Sequence, residues 1–272
     1  MRVMVRTLPP FLAAGLRHGT AGLLVLAWHR ARGGAWPQAR LWKGAARLGF
    51  FFLVAGNGLV TWCEQSVDSG VTALLVGSAP LWVALLLQQR GQRLGWVQWL
   101  SLLGGFGGVA LLVGPSLAHP NGSLLGMLGV VAGAFSWAWG TVTAKQLPRP
   151  KDGVLDAGMQ MVCAGAMLLS LALLSGEAGR VQWARVSAGS WEALAYLIVF
   201  GSLVGYLAFQ WLLKHVSPAS ASTYAYVNPA VAVGLGWWLL GEALTPRLLI
   251  ASACIVGSVA VTLALPAAAS KA

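Results

Sequence analysis

Carboxylates are scarce in this chain: Asp and Glu together number 7 in 272 residues, and charged residues of both signs make up only 9%. A typical soluble domain carries about 25%, so an ordinary soluble domain is excluded. No Asp or Glu falls in the middle of an apolar run. The deep carboxylate that proton coupling normally uses is therefore missing, and Glu64, at the end of one run, is the best substitute. Histidines number 4 and cysteines 3. His18, His29, His119 and His215 are scattered, with no His-Glu-x-x-His motif and no paired mid-span aspartates. Cys63, Cys163 and Cys254 lack paired spacing and read as small packing residues, without disulfide or metal. The expectation is a protein that is not an enzyme and needs no cofactor or metal. A cleavable signal peptide is not expected, because the first apolar run continues to Trp28 with no small-residue cleavage site.

Hydrophobic residues fill 57% of the sequence. A bilayer core about 30 Å thick needs roughly 20 mostly apolar residues per helix. Nine such stretches are predicted, near Leu8–Trp28, Ala45–Glu64, Val71–Gln88, Leu94–Val113, Leu124–Thr143, Leu155–Leu174, Trp191–Leu213, Ala219–Leu240 and Leu248–Leu265. Long continuous apolar runs satisfy their own backbone groups as helices, not as a barrel. The fold class is all-α, a polytopic protein of about nine transmembrane helices whose first partner is the lipid bilayer.

The net charge of +11 does not point to nucleic acid, because the basic residues sit in short loops where they set orientation. One set of alternate loops holds Arg30, Arg32, Arg40, Lys43, Arg47, Arg90, Arg93, Lys145, Arg149, Lys151 and Lys214, with Lys271 in the C-terminal tail. The other set holds Arg180, Arg185 and Arg247 among the acids Glu64, Asp68, Glu177, Glu192 and Glu242. The basic side is expected to be cytoplasmic, with the C-terminus on that side.

Two stretches repeat one pattern. Val67-Asp-Ser-Gly leads to Pro80, and Val216-Ser-Pro-Ala leads, over the same interval, to Pro229. Further on, Leu94, Gly107, Val109 and Ala110 answer Leu244, Gly257, Val259 and Ala260. An odd number of spans separates the copies, so the second lies inverted relative to the first, and the loop charges change sign accordingly. Inverted repeats with a proline-broken helix in each half are a signature of secondary transporters. Pro80 and Pro229 are the candidate kinks or gates.

Polar residues within apolar spans need partners or water. Asn57, Thr61 and Glu64 share one helical face; Ser136, Trp139, Gly140 and Thr143 form a second stripe, Ser202, Tyr206 and Gln210 a third, and Tyr224 and Asn228 a fourth. With the deep Trp82 and Trp137 they are candidates to line a cavity for a small, mostly uncharged solute. The competing reading is hydrogen bonding from helix to helix. Arg17, beside His18, lies midway along the first span, where insertion costs about 2.5–3.5 kcal/mol. Glu64 is one expected partner and a carboxylate-bearing substrate another. Gly104, Gly105, Gly107 and Gly108 lack a following Lys-Ser/Thr, so close helix packing accounts for them better than phosphate binding. A homodimer through such glycine faces is compatible with the sequence.

Phe11-Leu-Ala-Ala-Gly-Leu-Arg, Gly56-Asn-Gly, Ser69-Gly followed by Pro80-Leu-Trp, Ser136-Trp137, Tyr224-Ala-Tyr-Val-Asn-Pro-Ala-Val-Ala and Gly241-Glu-Ala-Leu-Thr together resemble the EamA-type drug/metabolite transporters of the YedA-like kind. The resemblance implies two EamA repeats in inverted topology around a central cavity, residues 1–116 and 122–266, in a bacterial inner (plasma) membrane. It implies a permease that moves, and usually exports, a small metabolite such as an amino acid. The family's repeat has five helices, and only four are predicted in the first half. The expectation is that the first span is lacking, and an inactive or regulatory membrane protein derived by that loss is the alternative function.

Overall fold

The computed structural model describes residues 1, 3–67, 69–92, 94–117, 124–227 and 246–264. Among these, every regular element is a helix: α1 (Pro10–Ala31), α2 (Ala39–Cys63), α3 (Ser69–Val76), α4 (Ala79–Gln89), α5 (Trp96–Leu117), α6 (Leu124–Thr143), α7 (Gly153–Leu174), α8 (Ala188–His215), α9 (Pro218–Ser222) and α10 (Pro246–Ala264). Six segments are long and apolar enough to cross a bilayer: α1, α2, Val71–Gln89, Leu124–Gln146, α7 and α8. Trp96–Leu111 and Leu249–Thr262 are shorter apolar helices. These eight coincide with predicted stretches. The ninth, Ala219–Leu240, lies mostly beyond Val227, outside the described residues.

The helix boundaries follow from local chemistry. Asp152 caps α7 by accepting the Val154 N–H at 2.8 Å, and Ser187 caps α8 by accepting the Ser190 N–H at 3.2 Å. Gly176 ends the turn after α7 with a φ of 75°, a left-handed backbone that favours glycine. The start of α1 has Pro9 and Pro10 and no local cap. Its orphan donors on Phe11 and Leu12 instead reach Glu177, far along the chain, at 2.9 and 3.1 Å.

Two stretches depart from α-helical winding, Phe50–Gly58 within α2 and Leu197–Tyr206 within α8, both π-helical. The offset that sets Val67 on Val216 carries each π segment to within two residues of the other. The third predicted span is interrupted: α3 ends at Val76, Gly77 and Ser78 form a turn, and Pro80 is the second residue of α4. Proline cannot donate back to the preceding turn. Ser78 turns its hydroxyl onto the Leu75 carbonyl at 2.6 Å instead.

The chain forms two compact units, each drawing on two chain segments. The first comprises Met1–Gln65 and Thr143–His215, the second Ser66–Val142 and Val216–Ala272. In the first, α1 and α7 meet through glycines. A Cβ on Gly22 would lie 2.6 Å from the Val162 nitrogen, and one on Gly165 would lie 2.5 Å from the Gly19 Cα. Lipid supplies no hydrophobic drive between spans, so such close backbone approach and its van der Waals contact hold them together. Leu26, Ala45, Leu155 and Met159 fill the adjoining core.

In the second unit α5 packs on α10. Gly105 stands against Ser258 and Gly108 against the Ala251 carbonyl, whereas Gly104 and Gly107 face open space. The packing role read for this glycine run therefore falls on two of its four members. Ser101 donates to the Ser258 carbonyl at 2.8 Å, and the buried Tyr226 donates to the Leu102 carbonyl at 3.0 Å.

Candidate functional site

The π-helical stretches of α2 and α8 bring polar side chains into the first unit, where α1 supplies Arg17 and His18. Arg17 donates from Nε to Ser202 Oγ at 3.0 Å and from NH1 to the Met1 sulfur at 3.6 Å. His18 Nε2 meets Asn57 Oδ1 at 3.3 Å, and Ser202 Oγ meets His18 Nδ1 at 3.5 Å. Thr61 Oγ1 lies 2.7 Å from the Asn57 carbonyl and 3.2 Å from the Met1 sulfur, and its single proton goes to one or the other. Arg17 and His18 are buried, Asn57 half-buried. The expected pairing of Arg17 with Glu64 is not made. Met1 stands between Arg17 and Thr61, and Glu64 lies almost a turn further along, just past the end of α2.

One turn further along α8 a second cluster begins. Tyr206 donates to Gln160 Oε1 at 2.5 Å and accepts from Gln210 Nε2 at 2.9 Å, while Gln210 also donates to Gln160 Oε1 at 3.0 Å. Arg149, in the connection before α7, donates from NH2 to Gln210 Oε1 at 2.6 Å and from Nε to Asp156 Oδ2 at 2.7 Å. Lys214 lies 3.8 Å from the same carboxylate oxygen and donates to the Pro150 carbonyl at 2.7 Å. Asp156, Gln160 and Gln210 are completely buried. Ser202, Tyr206, Gln210 and Lys214 thus form one polar stripe at four-residue spacing along α8.

Asp156, Gln160, Arg149 and Lys214 were missed as site residues. Asp156 and Gln160 sit four apart on α7, the same spacing that marked the other stripes, but a carboxylate one turn from a helix end counts as a terminus in a linear reading. Arg149 and Lys214 were assigned to orientation. The fold spends both on Asp156.

The remaining candidates lie elsewhere. In the second unit Trp82 meets Phe135 edge-on at 5.5 Å, Phe135 lies 6.2 Å from Trp139, and Trp137 lies 6.4 Å from Tyr224. Arg90 stacks over Trp139 at 5.5 Å and donates to the Val142 carbonyl at 3.2 Å. The Trp82 indole N–H is buried with no partner among the described residues. Ser136 is half-buried on the same helix, and Thr143 closes it. Asn228 and Pro229 lie outside the described residues.

A helical chain with several membrane-crossing segments and buried side-chain polarity inside one unit is a polytopic membrane protein. Its sequence matches the EamA-like transporter family over residues 1–114 and 124–264, and the chain belongs to that family. It is 35% identical over 246 residues to the uncharacterized inner membrane transporter YedA of Escherichia coli K12, covering 90% of this chain and 78% of that protein. A transporter of Synechocystis is 30% identical over 264 residues, with the same two coverages. A solved crystal structure shares the fold with a TM-score of 0.74 at 22% identity, covering 97% of this chain and 91% of that one. YedA-type relatives are inner membrane transporters, and this chain is a transporter-family protein with several membrane-spanning helices.

Proposed function

We propose that the protein is a permease that moves, in the export direction, a small metabolite of the amino-acid type by alternating access in a bacterial inner membrane. The observation that carries this reading is the α8 stripe. Ser202, Tyr206 and Gln210 are buried on a helix of mean apolar character, and two of them sit in a π-helical stretch. π-Bulges concentrate at functional positions. A purely structural helix would fill these places with apolar side chains at less cost.

On this reading the two EamA repeats are inverted with respect to one another, the basic loops face the cytoplasm with the C-terminus, and Pro80 and Pro229 mark the bends that move. Asn57, Thr61, Tyr206 and Gln210, all within the first unit, contribute to solute recognition. The same reading makes the protein a non-enzyme, in keeping with the transporters it resembles.

The test is flux. Proteoliposomes holding the full chain should exchange at least one labelled amino acid or related metabolite faster than empty vesicles, and Gln210→Leu should slow that exchange. Vesicles that exchange nothing across the panel would sink the proposal.

A further inference from the structure

We propose that Arg17, together with the Asn57 amide, is the subsite that holds the carboxylate of the transported solute; this deepens the transport reading and rests on it. The contacts among Arg17, Ser202, His18, Asn57, Thr61 and Met1 close a ring within the first unit. Hydrogen-bond direction decides what this ring lacks. Asn57 Oδ1 can only accept, so His18 Nε2 carries a proton toward it, and Nδ1 is met by Ser202 Oγ at 3.5 Å. Ser202 Oγ in turn accepts from Arg17 Nε. The unused capacity is then all of one kind: the outer N–H groups of Arg17 and the NH2 of Asn57 have no oxygen or nitrogen acceptor among the described residues. Arg17 is 6% exposed, so its charge sits away from bulk water, with no carboxylate among its contacts.

A second observation points the same way. The Met1 sulfur accepts from Arg17 NH1 at 3.6 Å and lies 3.2 Å from Thr61 Oγ1, whose one proton can turn to it or to the Asn57 carbonyl. A thioether is a weak acceptor, and it occupies the place where two donors converge. A carboxylate oxygen there would take both bonds with charge assistance, and its partner oxygen would engage the rest of the guanidinium fork. Gly201 makes room for the guanidinium itself, since a Cβ on it would lie 2.5 Å from Arg17 NH2. One guanidinium with no carboxylate among its contacts matches a carboxylate.

The experiment pairs binding with flux. Purified full chain in detergent is titrated with 2-hydroxy acids, 2-keto acids and amino acids, each matched with its amide, and melting is followed. Acids should stabilise and their amides should not. Arg17→Gln should weaken the acids by about ten- to a hundredfold, with Arg17→Lys intermediate and Asn57→Asp impaired by its own negative charge. Without solute, Arg17→Gln should melt no lower than the parent chain, because it removes a buried charge that lacks a counter-ion. Amides that bind as well as acids, or acids that bind Arg17→Gln unchanged, would overturn the subsite. Flux assays in proteoliposomes separate the two readings. Transport confined to solutes without a carboxylate would leave the permease standing and remove the subsite. Acid binding that depends on Arg17, without any flux, would uphold the subsite as a binding site and remove the permease.

Discussion

Arg149 places both Nε and NH2 2.7 Å from a single oxygen, Oδ2, of Asp156, while the other oxygen, Oδ1, is buried with no donor among the described residues. The pair ties the connection before α7 to the first turn of that helix, and through Gln210 to α8. Removing one partner of a buried pair strands the other, at about 3–5 kcal/mol. Asp156→Leu should therefore lower the melting temperature in detergent sharply, and Arg149→Met with Asp156→Leu should recover most of the loss. A double variant no more stable than the single one would refute this account.

Tyr206 is the hinge of the glutamine pair, donating to Gln160 and accepting from Gln210. Tyr206→Phe leaves Gln160 short of a donor and Gln210 short of an acceptor, so a loss of about 1–3 kcal/mol is expected. Gln160→Leu with Gln210→Leu in that background should cost less than either single change. Chemical denaturation of the four variants would decide it.

The glycines divide sharply by what stands opposite them. Gly22→Ala would press a methyl against the Val162 nitrogen and the Gly158 carbonyl of α7, backbone that cannot rotate away. It should destabilise by about 1–3 kcal/mol. Gly104→Ala meets nothing within 4 Å and should be neutral or slightly stabilising, since alanine is the better helix former. Thermal melts of the two variants side by side are the check.

Glu177 caps α1 from outside the spans, and burial is the main cause that raises its carboxyl above the ordinary glutamate range. Two N–H bonds and Arg180 oppose the shift without cancelling it. A carboxyl raised in the folded state favours folding most below its ordinary, unfolded value and loses that contribution as pH rises through its folded value. Glu177→Gln, which keeps an acceptor but cannot ionise, should therefore gain on the parent chain as pH rises. Glu177→Ala, which removes the acceptor, should cost about 1 kcal/mol. Melting of all three chains across pH 4–8 tests both statements.

Much of the fold is legible in one dimension because lipid imposes a simple rule: any segment that crosses must be long, apolar and helical. That rule located α1, α2, α7 and α8 from hydropathy alone, and the four-residue spacing of Ser202, Tyr206 and Gln210 marked their shared face. It failed at Asp156 and Arg149 because a charge near a span end looks the same whether it faces water or a buried partner. It failed for Arg17 and Glu64 because their separation depends on how α1 and α2 are rotated about their axes, which spacing along either helix does not fix.

By itself the sequence determined the class: its long hydrophobic runs define a polytopic membrane chain, and its EamA-like motifs a transporter-family one, before any coordinate is known. Only the tertiary structure decided which polar groups meet. Burial turns a list of isolated stripes into a ring around Arg17 and a chain from Tyr206 to Asp156, because away from water each donor must find an acceptor across helices far apart in sequence.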